Sequence, residues 1–387
     1  MDEHVVPTYK RAEPVFVSGR GATLIDEEGR EYLDFLSGIG VTALGHAHPR
    51  LVAALTDQVG KLTHVSNLLR HPFTEDVAAR IARLSGLQAV FFSNSGSEAN
   101  ETALKIARKA QQLRGAPERT AFVALEGGFH GRTTGALAIT STAKYRAPFG
   151  PLLEATFVAP EDVDALAAAL ATKPAALILE PVQGEGGLRV LSRAYLAAAR
   201  ELCTATGTVL VHDEIQCGAF RTGTFLAGEQ AGVVPDVATL AKPIAAGLPM
   251  GVTVVSAELA DTLAPGDHGS TFGGGPLALR AALVFLEELE EGGLAANVRA
   301  RAADLTAGLD GLAAEFDVVD ERRGLGLMQG LRVPGHSAAV KDALFERGLI
   351  ACTAGDDVVR FLPPFIITAE DVERGLGLLH DALATTG

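Results

Sequence analysis

Five short apolar runs alternate with helix-like stretches through the middle of this 387-residue chain. A nearly uninterrupted apolar run is typical of a strand that is buried on both faces, as strands are in parallel sheets. Between the first two runs, residues 99–113 place apolar side chains on one helical face. The alternation predicts an open, mostly parallel sheet covered by helices, which is an α/β fold. The runs are AVFF (89–92), AFVAL (121–125), AALIL (175–179), TVLV (208–211) and VATLA (237–241).

The two ends of the chain differ from this pattern. Residues 16–35 favour two short antiparallel strands around a turn at Glu28 and Gly29. Residues 277–316 are helix-rich, and residues 317–387 mix short strands with a final helix. Because a single core stops growing at about 250–300 residues, we expect both ends to form a second, smaller lobe together.

Composition excludes several classes of protein. The net charge is −14, with 33 Lys and Arg against 47 Asp and Glu, so nucleic acid and anionic membranes are disfavoured partners. No apolar run approaches the roughly 18 residues of a membrane span, and the start MDEHVVPTYK lacks the apolar segment of a signal peptide. Three scattered cysteines (Cys203, Cys217 and Cys352) favour a reducing cytoplasm, and no His or Cys cluster has metal-ligand spacing.

Residues that could carry chemistry follow each apolar run. Ligands of open α/β sheets bind beyond the carboxyl ends of the strands, so these residues are expected to converge. They include a turn of small residues, an aromatic ring, several carboxylates and one lysine. The segments are 93–98 (SNSGSE), 126–132 (EGGFHGR), 180–187 (EPVQGEGG), 212–216 (HDEIQ) and Lys242.

The turn formed by Ser95, Gly96 and Ser97 leads into a helix, whose free N–H groups and positive dipole end suit an anion. Taken alone, a helix cap by Ser95 or Ser97 is the better interpretation. No GxxxxGK[ST] sequence is present, so an ordinary nucleotide phosphate loop is not expected.

Asp213 and Lys242 end two consecutive strand-like runs. A structural ion pair is the simplest interpretation of either residue alone. Pyridoxal phosphate chemistry, however, needs a lysine for the Schiff base and an acid that faces the pyridine nitrogen. It also needs a phosphate cradle and benefits from an aromatic face. This sequence offers all four in suitable places.

Seven strings make the resemblance specific, and they occur in one order along nearly the whole chain. With the opening FLSGIGVTALGHAHP, they resemble the landmarks of the class III, ornithine/acetylornithine-type aminotransferases. The resemblance implies a fold-type I transferase, with a seven-stranded, mostly parallel sheet in a large domain (45–275). It also implies a smaller α+β domain built from residues 1–44 and 276–387. The strings are SNSGSEANE, GGFHGRT, LEPVQGEGG, HDEIQCG, TLAKPIAAGLPMG, GSTFGGGP and VVRFLPPFII.

The resemblance also implies a role for each matching position. Lys242 would form the Schiff base and shuttle the proton, while Asp213 would keep the pyridine nitrogen protonated. Phe129 would stack on the ring and Gln216 would lie near its phenolic oxygen. Ser95, Gly96 and Ser97 would hold the phosphate, and Thr271 would reach the phosphate of a neighbouring subunit, which implies a homodimer with shared sites.

Two arginines suggest the substrates. By the resemblance, Arg132 would hold the α-carboxylate of an ω-amino donor, with Ser270 also in the substrate site. Arg360 would grip the α-carboxylate of glutamate or 2-oxoglutarate, and Glu185 would pair with Arg360 when the donor is bound. The planar fork of arginine suits a carboxylate. From the residues alone, a surface or interdomain salt bridge remains the alternative for each arginine.

A few positions depart from the family pattern. Pro243 follows Lys242 where Gly is usual, which restricts Lys242 toward an extended backbone. Gly275 replaces a usual Asn, Cys217 a common Thr, and Ala219 and Phe220 stand where a Gly is usual. None of these changes removes a catalytic group.

The resemblance implies transfer of the δ-amino group of N-acetylornithine to 2-oxoglutarate, as in arginine biosynthesis, by a ping-pong route through pyridoxamine phosphate. Other ω-amino donors stay open: ornithine, succinylornithine, N-succinyldiaminopimelate and carrier-bound substrates of lysine biosynthesis. A same-fold aminomutase or decarboxylase is a further alternative, and a non-catalytic binding protein is the weakest. The presence of Arg132, Arg360 and Glu185 together favours a transferase with two substrates.

Overall fold

A computed structural model describes residues 4–386 of the chain. It contains seventeen strands and twelve α-helices within those residues, together with short 3-10 turns. The strands are β1 (Phe16–Arg20), β2 (Thr23–Asp26), β3 (Glu31–Asp34), β4 (Ala89–Ser93), β5 (Phe122–Leu125), β6 (Ala155–Val158), β7 (Ala176–Leu179), β8 (Val182–Gln183), β9 (Arg189–Val190), β10 (Val209–Asp213), β11 (Val237–Leu240), β12 (Gly251–Val255), β13 (Glu321–Leu325), β14 (Met328–Arg332), β15 (Leu349–Ile350), β16 (Cys352–Ala354) and β17 (Val358–Phe361). The helices are α1 (Ser37–Gly40), α2 (Pro49–Val59), α3 (Phe73–Ser85), α4 (Gly96–Leu113), α5 (Thr134–Ala138), α6 (Ala143–Arg146), α7 (Val163–Ala171), α8 (Arg193–Thr206), α9 (Pro276–Glu290), α10 (Leu294–Glu315), α11 (Ser337–Glu346) and α12 (Ala369–Ala384).

A seven-stranded sheet forms the centre of the molecule, in the order β4-β12-β11-β10-β7-β5-β6. All five apolar runs lie in it, and its strands are parallel except β12, which is antiparallel to both β11 and β4. The mostly parallel, seven-stranded sheet of a fold-type I transferase is therefore confirmed. The order also places the carboxyl ends of β4, β11, β10, β7 and β5 along one edge of the sheet.

The strands of this sheet are apolar throughout because both faces are covered. In β10, Val209 and Val211 pack into the cluster under α4, whereas Leu210 packs into the cluster under α7 and α8. Consecutive residues thus bury on opposite faces, as the alternation of side chains along a strand requires. On α4 the predicted face is buried except at its end, where Leu113 is 66% exposed.

Two four-stranded sheets come from the chain ends, in the orders β1-β2-β3-β15 and β13-β14-β17-β16. The sequence predicted two strands in residues 16–35, but three form, because a second turn at Gly21 adds β1 to the pair β2 and β3. Gly21 has a φ of 58°, which a glycine adopts readily. The predicted helices of residues 277–316 are α9 and α10, and the chain closes with α12 as expected.

The largest hydrophobic cluster joins the central sheet to the chain ends. In it, α9 packs against both α2 and α3, and residues of β12 and β17 belong to the same cluster. The division at residues 44/45 and 275/276 remains a proposal, since this shared core crosses it and residues 1–3 and 387 lie outside the described part of the chain. None of the helices in residues 4–386 combines the length and the apolar character that crossing a membrane requires.

Candidate active site

A cavity of about 360 Å³ opens at the carboxyl edge of the central sheet. Its walls come from the segments that follow β4, β5, β7, β10 and β11, which is the convergence that the strand-end argument predicts. Seven of the twelve predicted site residues line it. They are Ser95, Gly96, Ser97, Phe129, Asp213, Gln216 and Lys242.

Lys242 reaches this cavity from the turn after β11. Within residues 4–386 its ammonium group makes no hydrogen bond or ion pair. Burial lowers the pKa of Lys242, and the nearby charge of Arg360 lowers it further, against the opposing effect of nearby carboxylates. A lowered pKa raises the fraction of neutral amine, which is the nucleophilic form.

The expectation of an extended backbone at Lys242 is wrong. Its φ is 29°, in the left-handed region that side-chain-bearing residues rarely adopt. Lys242 begins a 3-10 turn (Lys242–Ala245), and Pro243 lies at the start of that turn. The first N–H groups of such a turn have no partner within it, so the missing N–H of proline costs no hydrogen bond. Backbone strain of this kind, about 1–3 kcal/mol per residue, is concentrated at functional sites.

Asp213 is the last residue of β10 and is 2% exposed. Its Oδ2 atom accepts hydrogen bonds from Asn100 Nδ2 at 2.8 Å and from His130 Nδ1 at 2.7 Å. Its Oδ1 atom accepts the N–H of Ile215 at 3.1 Å. Three donors from three different segments therefore fix the orientation of this carboxylate against the cavity.

His130 and Glu180 also line the cavity, although the sequence argument gave neither a role. Burial alone would lower the pKa of His130, but its hydrogen bond to Asp213 and the charges of Asp213 and Glu180 raise it. Burial raises the pKa of Glu180 to about 7. Glu180 accepts the N–H groups of Phe129 at 2.9 Å and Gly184 at 3.0 Å. Their position directly after β5 and β7 was the signal that could have found them.

At the N-terminus of α4, the structure shows the helix cap that the small-residue turn predicts. Ser95 is the N-cap, and its Oγ atom accepts the N–H of Glu98 at 3.3 Å. Ser95, Gly96 and Ser97 also face the cavity, where the first N–H groups of a helix have no intrahelical partner. A Cβ atom on Gly96 would lie 2.8 Å from Ile215 Cδ1, so a larger residue here would force the Ile215 side chain to move.

Arg360, on β17, is 2% exposed and lies behind Gln216. One of its terminal nitrogens, Nη1, donates to Glu185 Oε1 at 2.6 Å and to Gln216 Oε1 at 2.9 Å, and its Nε donates to Cys352 Sγ at 3.3 Å. Burial opposes the charge on Arg360, but Cys352 and Glu185 raise its pKa. The structure thus brings Arg360 and Glu185 together with Gln216, which lines the cavity.

Three other predicted residues are not part of the cavity lining. Arg132 lies outside Phe129, with its Cζ atom 5.5 Å from the centre of that ring. Ser270 and Thr271 line a separate depression of about 650 Å³. Ser270 Oγ accepts hydrogen bonds from Asn94 Nδ2 at 3.1 Å and from the N–H of Gly273 at 2.9 Å.

The residues at the cavity fit pyridoxal phosphate. Lys242 offers an unpartnered amine for the aldehyde, and Asp213 offers a fixed carboxylate for the ring nitrogen. The N-terminus of α4 suits a phosphate, and Phe129 offers a ring face. This sheet and this cavity define an enzyme of the fold-type I class, which carries pyridoxal phosphate on a lysine.

Comparison with known proteins gives the family. The sequence model of the family described as "Aminotransferase class-III" matches residues 7–383, and the chain belongs to this family. It is therefore a pyridoxal-phosphate-dependent transaminase, whose substrates are small amino compounds and oxo acids.

Two of the similar proteins are named for one activity. The acetylornithine aminotransferase of Rhodobacter capsulatus is 43% identical over 383 residues, which is 98% of each chain. The solved structure of N-acetylornithine aminotransferase from Stenotrophomonas maltophilia has a TM-score of 0.85 and 37% identity, covering 97% of this chain and 96% of that one. The ornithine aminotransferase of Toxoplasma gondii, with partial occupancy of PLP at its active site, has a TM-score of 0.94 and 34% identity, covering 99% of this chain and 92% of that one.

Proposed function

We propose that this enzyme transfers the δ-amino group of N-acetylornithine to 2-oxoglutarate. The observation that carries the proposal is the contrast between its two arginines. Arg360 is buried and paired with Glu185, whereas Arg132 is exposed and has no carboxylate partner among residues 4–386. Two carboxylate-binding groups, one of them blocked by a movable acid, suit two acidic substrates that use one site in turn.

When bound, pyridoxal phosphate supplies an electron sink that stabilises negative charge on the carbon that carries the reacting amino group. Lys242 Nζ then acts as the general base at that carbon, and its lowered pKa increases the share of neutral amine that can accept the proton. The carboxylate of Asp213 holds a proton on the ring nitrogen. Asn100 and His130 keep that carboxylate in place through the substrate exchange.

The remaining cavity residues bind and orient. The first N–H groups of α4, at Gly96 and Ser97, and the hydroxyl groups of Ser95 and Ser97 would hold the phosphate. Phe129 would cover one face of the ring, and Gln216 would lie near its phenolic oxygen. Gln216 also touches Arg360, so it couples the ring to the group that binds the oxo acid.

Glu185 selects between the two substrates in this proposal. While Glu185 is paired with Arg360, the guanidinium group of Arg360 is occupied and cannot bind a substrate carboxylate. Arg132 then holds the α-carboxylate of the amino donor. When Glu185 swings out, Arg360 becomes free to bind the α-carboxylate of 2-oxoglutarate. Relatives that are 40–43% identical to this chain and named acetylornithine aminotransferase support N-acetylornithine as the donor.

A homodimer with shared active sites is part of the proposal. Thr271 and Ser270 line a depression other than the cavity of their own chain, and in this proposal Thr271 contacts the phosphate in the partner's site. In the single chain, Leu68 (93%), Leu69 (63%) and Phe272 (67%) are exposed near these residues. Large apolar side chains that are exposed together are typical of a surface that another subunit covers. A cytoplasmic location is also proposed, and three free cysteines support it, since a reducing compartment keeps thiols free.

The test is a panel of amino donors with 2-oxoglutarate, read as glutamate formed by the purified holoenzyme. The panel contains N-acetylornithine, ornithine, N-succinylornithine and N-succinyldiaminopimelate. N-acetylornithine is expected to lead in kcat/KM by about tenfold or more, which is about 1.4 kcal/mol. A lead by another donor would contradict the proposed substrate, and turnover without any oxo acid would indicate an aminomutase or a decarboxylase instead.

A further inference from the structure

Arg132 is an exposed cation in an acidic protein, yet no carboxylate among the described residues pairs with it. Its guanidinium group makes no hydrogen bond to a described residue either, and only its backbone N–H has an acceptor, Ser97 Oγ at 3.4 Å. Arg50, by contrast, has a glutamate on each terminal nitrogen. The contacts that the Arg132 guanidinium group does make are therefore with rings and not with a charge.

Tyr145 supplies the closer of these contacts. The Cζ atom of Arg132 lies 3.6 Å from the centre of the Tyr145 ring, which is possible only if the guanidinium group sits over the face of the ring. The Tyr145 ring in turn meets Phe129 edge to face, with 6.5 Å between centres and 88° between planes. The side chains of Arg132, Tyr145 and Phe129 therefore form one stack, and its inner member lines the cavity.

We propose that Tyr145 is a positioning residue that orients Arg132 toward the α-carboxylate of the amino donor. The proposal rests on the role given to Arg132 in the proposed function. Stacking uses the flat face of a guanidinium group and leaves the N–H groups along its edge free, and that edge is what a carboxylate binds bidentately. Tyr145 thus restricts the many rotamers of Arg132 without occupying a donor that the substrate needs.

The arrangement also separates the two halves of the reaction. Arg360 is held by Glu185, Gln216 and Cys352, and none of these contacts involves Tyr145. A loss of the Tyr145 ring should therefore weaken the binding of the amino donor and leave the binding of the oxo acid unchanged. A general defect in folding or in cofactor binding would impair both halves.

The experiment compares Tyr145→Leu, which removes the ring, with Tyr145→Phe, which keeps it, both as holoenzyme. The donors are N-acetylornithine and N-acetylputrescine, which has the same reacting amine but no α-carboxylate. Tyr145→Leu is expected to raise the KM of N-acetylornithine about fivefold, while kcat and the KM of the oxo acid stay unchanged. Its kcat/KM with N-acetylputrescine should equal that of the wild type, and Tyr145→Phe should behave as the wild type with both donors.

A matched control and a second readout exclude indirect effects. Phe157→Leu removes a ring from a similar pair, since Arg146 Cζ lies 4.4 Å from the centre of the Phe157 ring, and no KM should change. N-acetylnorvaline keeps the α-carboxylate of N-acetylornithine but lacks its δ-amino group, so it can bind but cannot react. Calorimetry therefore measures its dissociation constant without turnover. Its Kd should rise about fivefold in Tyr145→Leu alone.

Other outcomes would contradict either the positioning role of Tyr145 or the proposed amino donor. Equal losses with N-acetylornithine and N-acetylputrescine, no change in Tyr145→Leu, or the same loss in Tyr145→Phe would each overturn the positioning role. If the wild type rejects N-acetylornithine and accepts ornithine, only the proposed donor is wrong. Tyr145 is then tested in the same way with ornithine against putrescine, which lacks the carboxylate.

Discussion

The guanidinium group of Arg360 and the carboxylate of Glu185 meet at 2.6 Å, but the two side chains differ in exposure, at 2% and 40%. Arg360 is anchored on a strand by further contacts to Gln216 and Cys352, whereas Glu185 follows the short strand β8. Burial would raise the pKa of Glu185, but the charge and hydrogen bond of Arg360 lower it, so the pair is ionic. Of the two partners, Glu185 is the more exposed, and it is the one that we expect to move.

Glu185→Gln should favour the oxo acid. The amide carries no charge to compete for Arg360, so the KM of the oxo acid is expected to fall about fivefold. A fivefold change corresponds to about 1 kcal/mol, which is the upper end of the free energies of partly exposed ion pairs. Initial rates over a series of oxo acid concentrations check this, with 2-oxoglutarate as the substrate that is varied. Glu321→Gln, which breaks an exposed pair with Arg323, is the control and should leave the KM unchanged. An unchanged KM in Glu185→Gln would contradict the competition between Glu185 and the oxo acid.

Lys242→Ala should separate binding from chemistry. The variant is expected to retain pyridoxal phosphate through Asp213 and the N-terminus of α4, but without the visible absorbance of the covalent link. Its turnover should fall at least about a thousandfold, within the range for loss of a general base. Absorbance spectra and glutamate formation check both statements. Added methylamine, a free amine, should restore part of the rate, and retained activity without it would refute the assignment of Lys242.

The sequence predicted the part of the site that follows from strand ends. Lys242, Asp213, Phe129 and the turn before α4 each lie within a few residues of the end of an apolar run, and parallel strands bring their carboxyl ends to one edge. No pairing information was needed for this step. Burial on both faces made the runs visible without knowledge of their partners.

Features that depend on distant parts of the chain were harder to predict. The strand β12 (GVTVV) follows β11 without an intervening helix and runs antiparallel, so it falls outside the alternation of strands and helices. The bond from His130 to Asp213 and the stack of Arg132 on Tyr145 depend on how turns fold over the sheet edge. Arg360 and Glu185 are 175 residues apart, and the periodicity of helices and strands relates only residues that are close in sequence. Only the resemblance to a family therefore linked these two residues.

His130→Leu should weaken the support of Asp213. The variant removes the donor at 2.7 Å and, among residues 4–386, leaves Asn100 as the only side chain that bonds Asp213 Oδ2. The kcat is expected to fall about tenfold or more, as for a lost hydrogen bond to a charged group. Retention of the cofactor on dialysis should fall as well. His130→Gln keeps an N–H donor and should recover part of both, so equal defects in the two variants would point to packing instead.

Glu214, next to Asp213, predicts an unusual pH dependence of stability. Its carboxylate is fully buried and accepts the N–H groups of Ala227 at 2.8 Å and Gly228 at 3.0 Å. Burial raises its pKa from about 4.5 to about 7, so the folded protein holds this proton more tightly than the unfolded chain does. The stabilising contribution is therefore complete below about pH 4.5 and is lost as the pH rises toward about 7, by about 3 kcal/mol.

Glu214→Gln does not titrate in this range, so the decline of Tm between about pH 5 and pH 7.5 should be shallower than in the wild type. Thermal melts followed by circular dichroism at several pH values measure the slope, which is independent of any constant loss of stability from the substitution. Glu291→Gln, at an exposed position just after α9, is the matched control and should keep the wild-type slope. Parallel curves for Glu214→Gln and the wild type would show that Glu214 is charged throughout this range. The N–H groups of Ala227 and Gly228, together with the Cys217 thiol, would then be sufficient to stabilise the buried carboxylate.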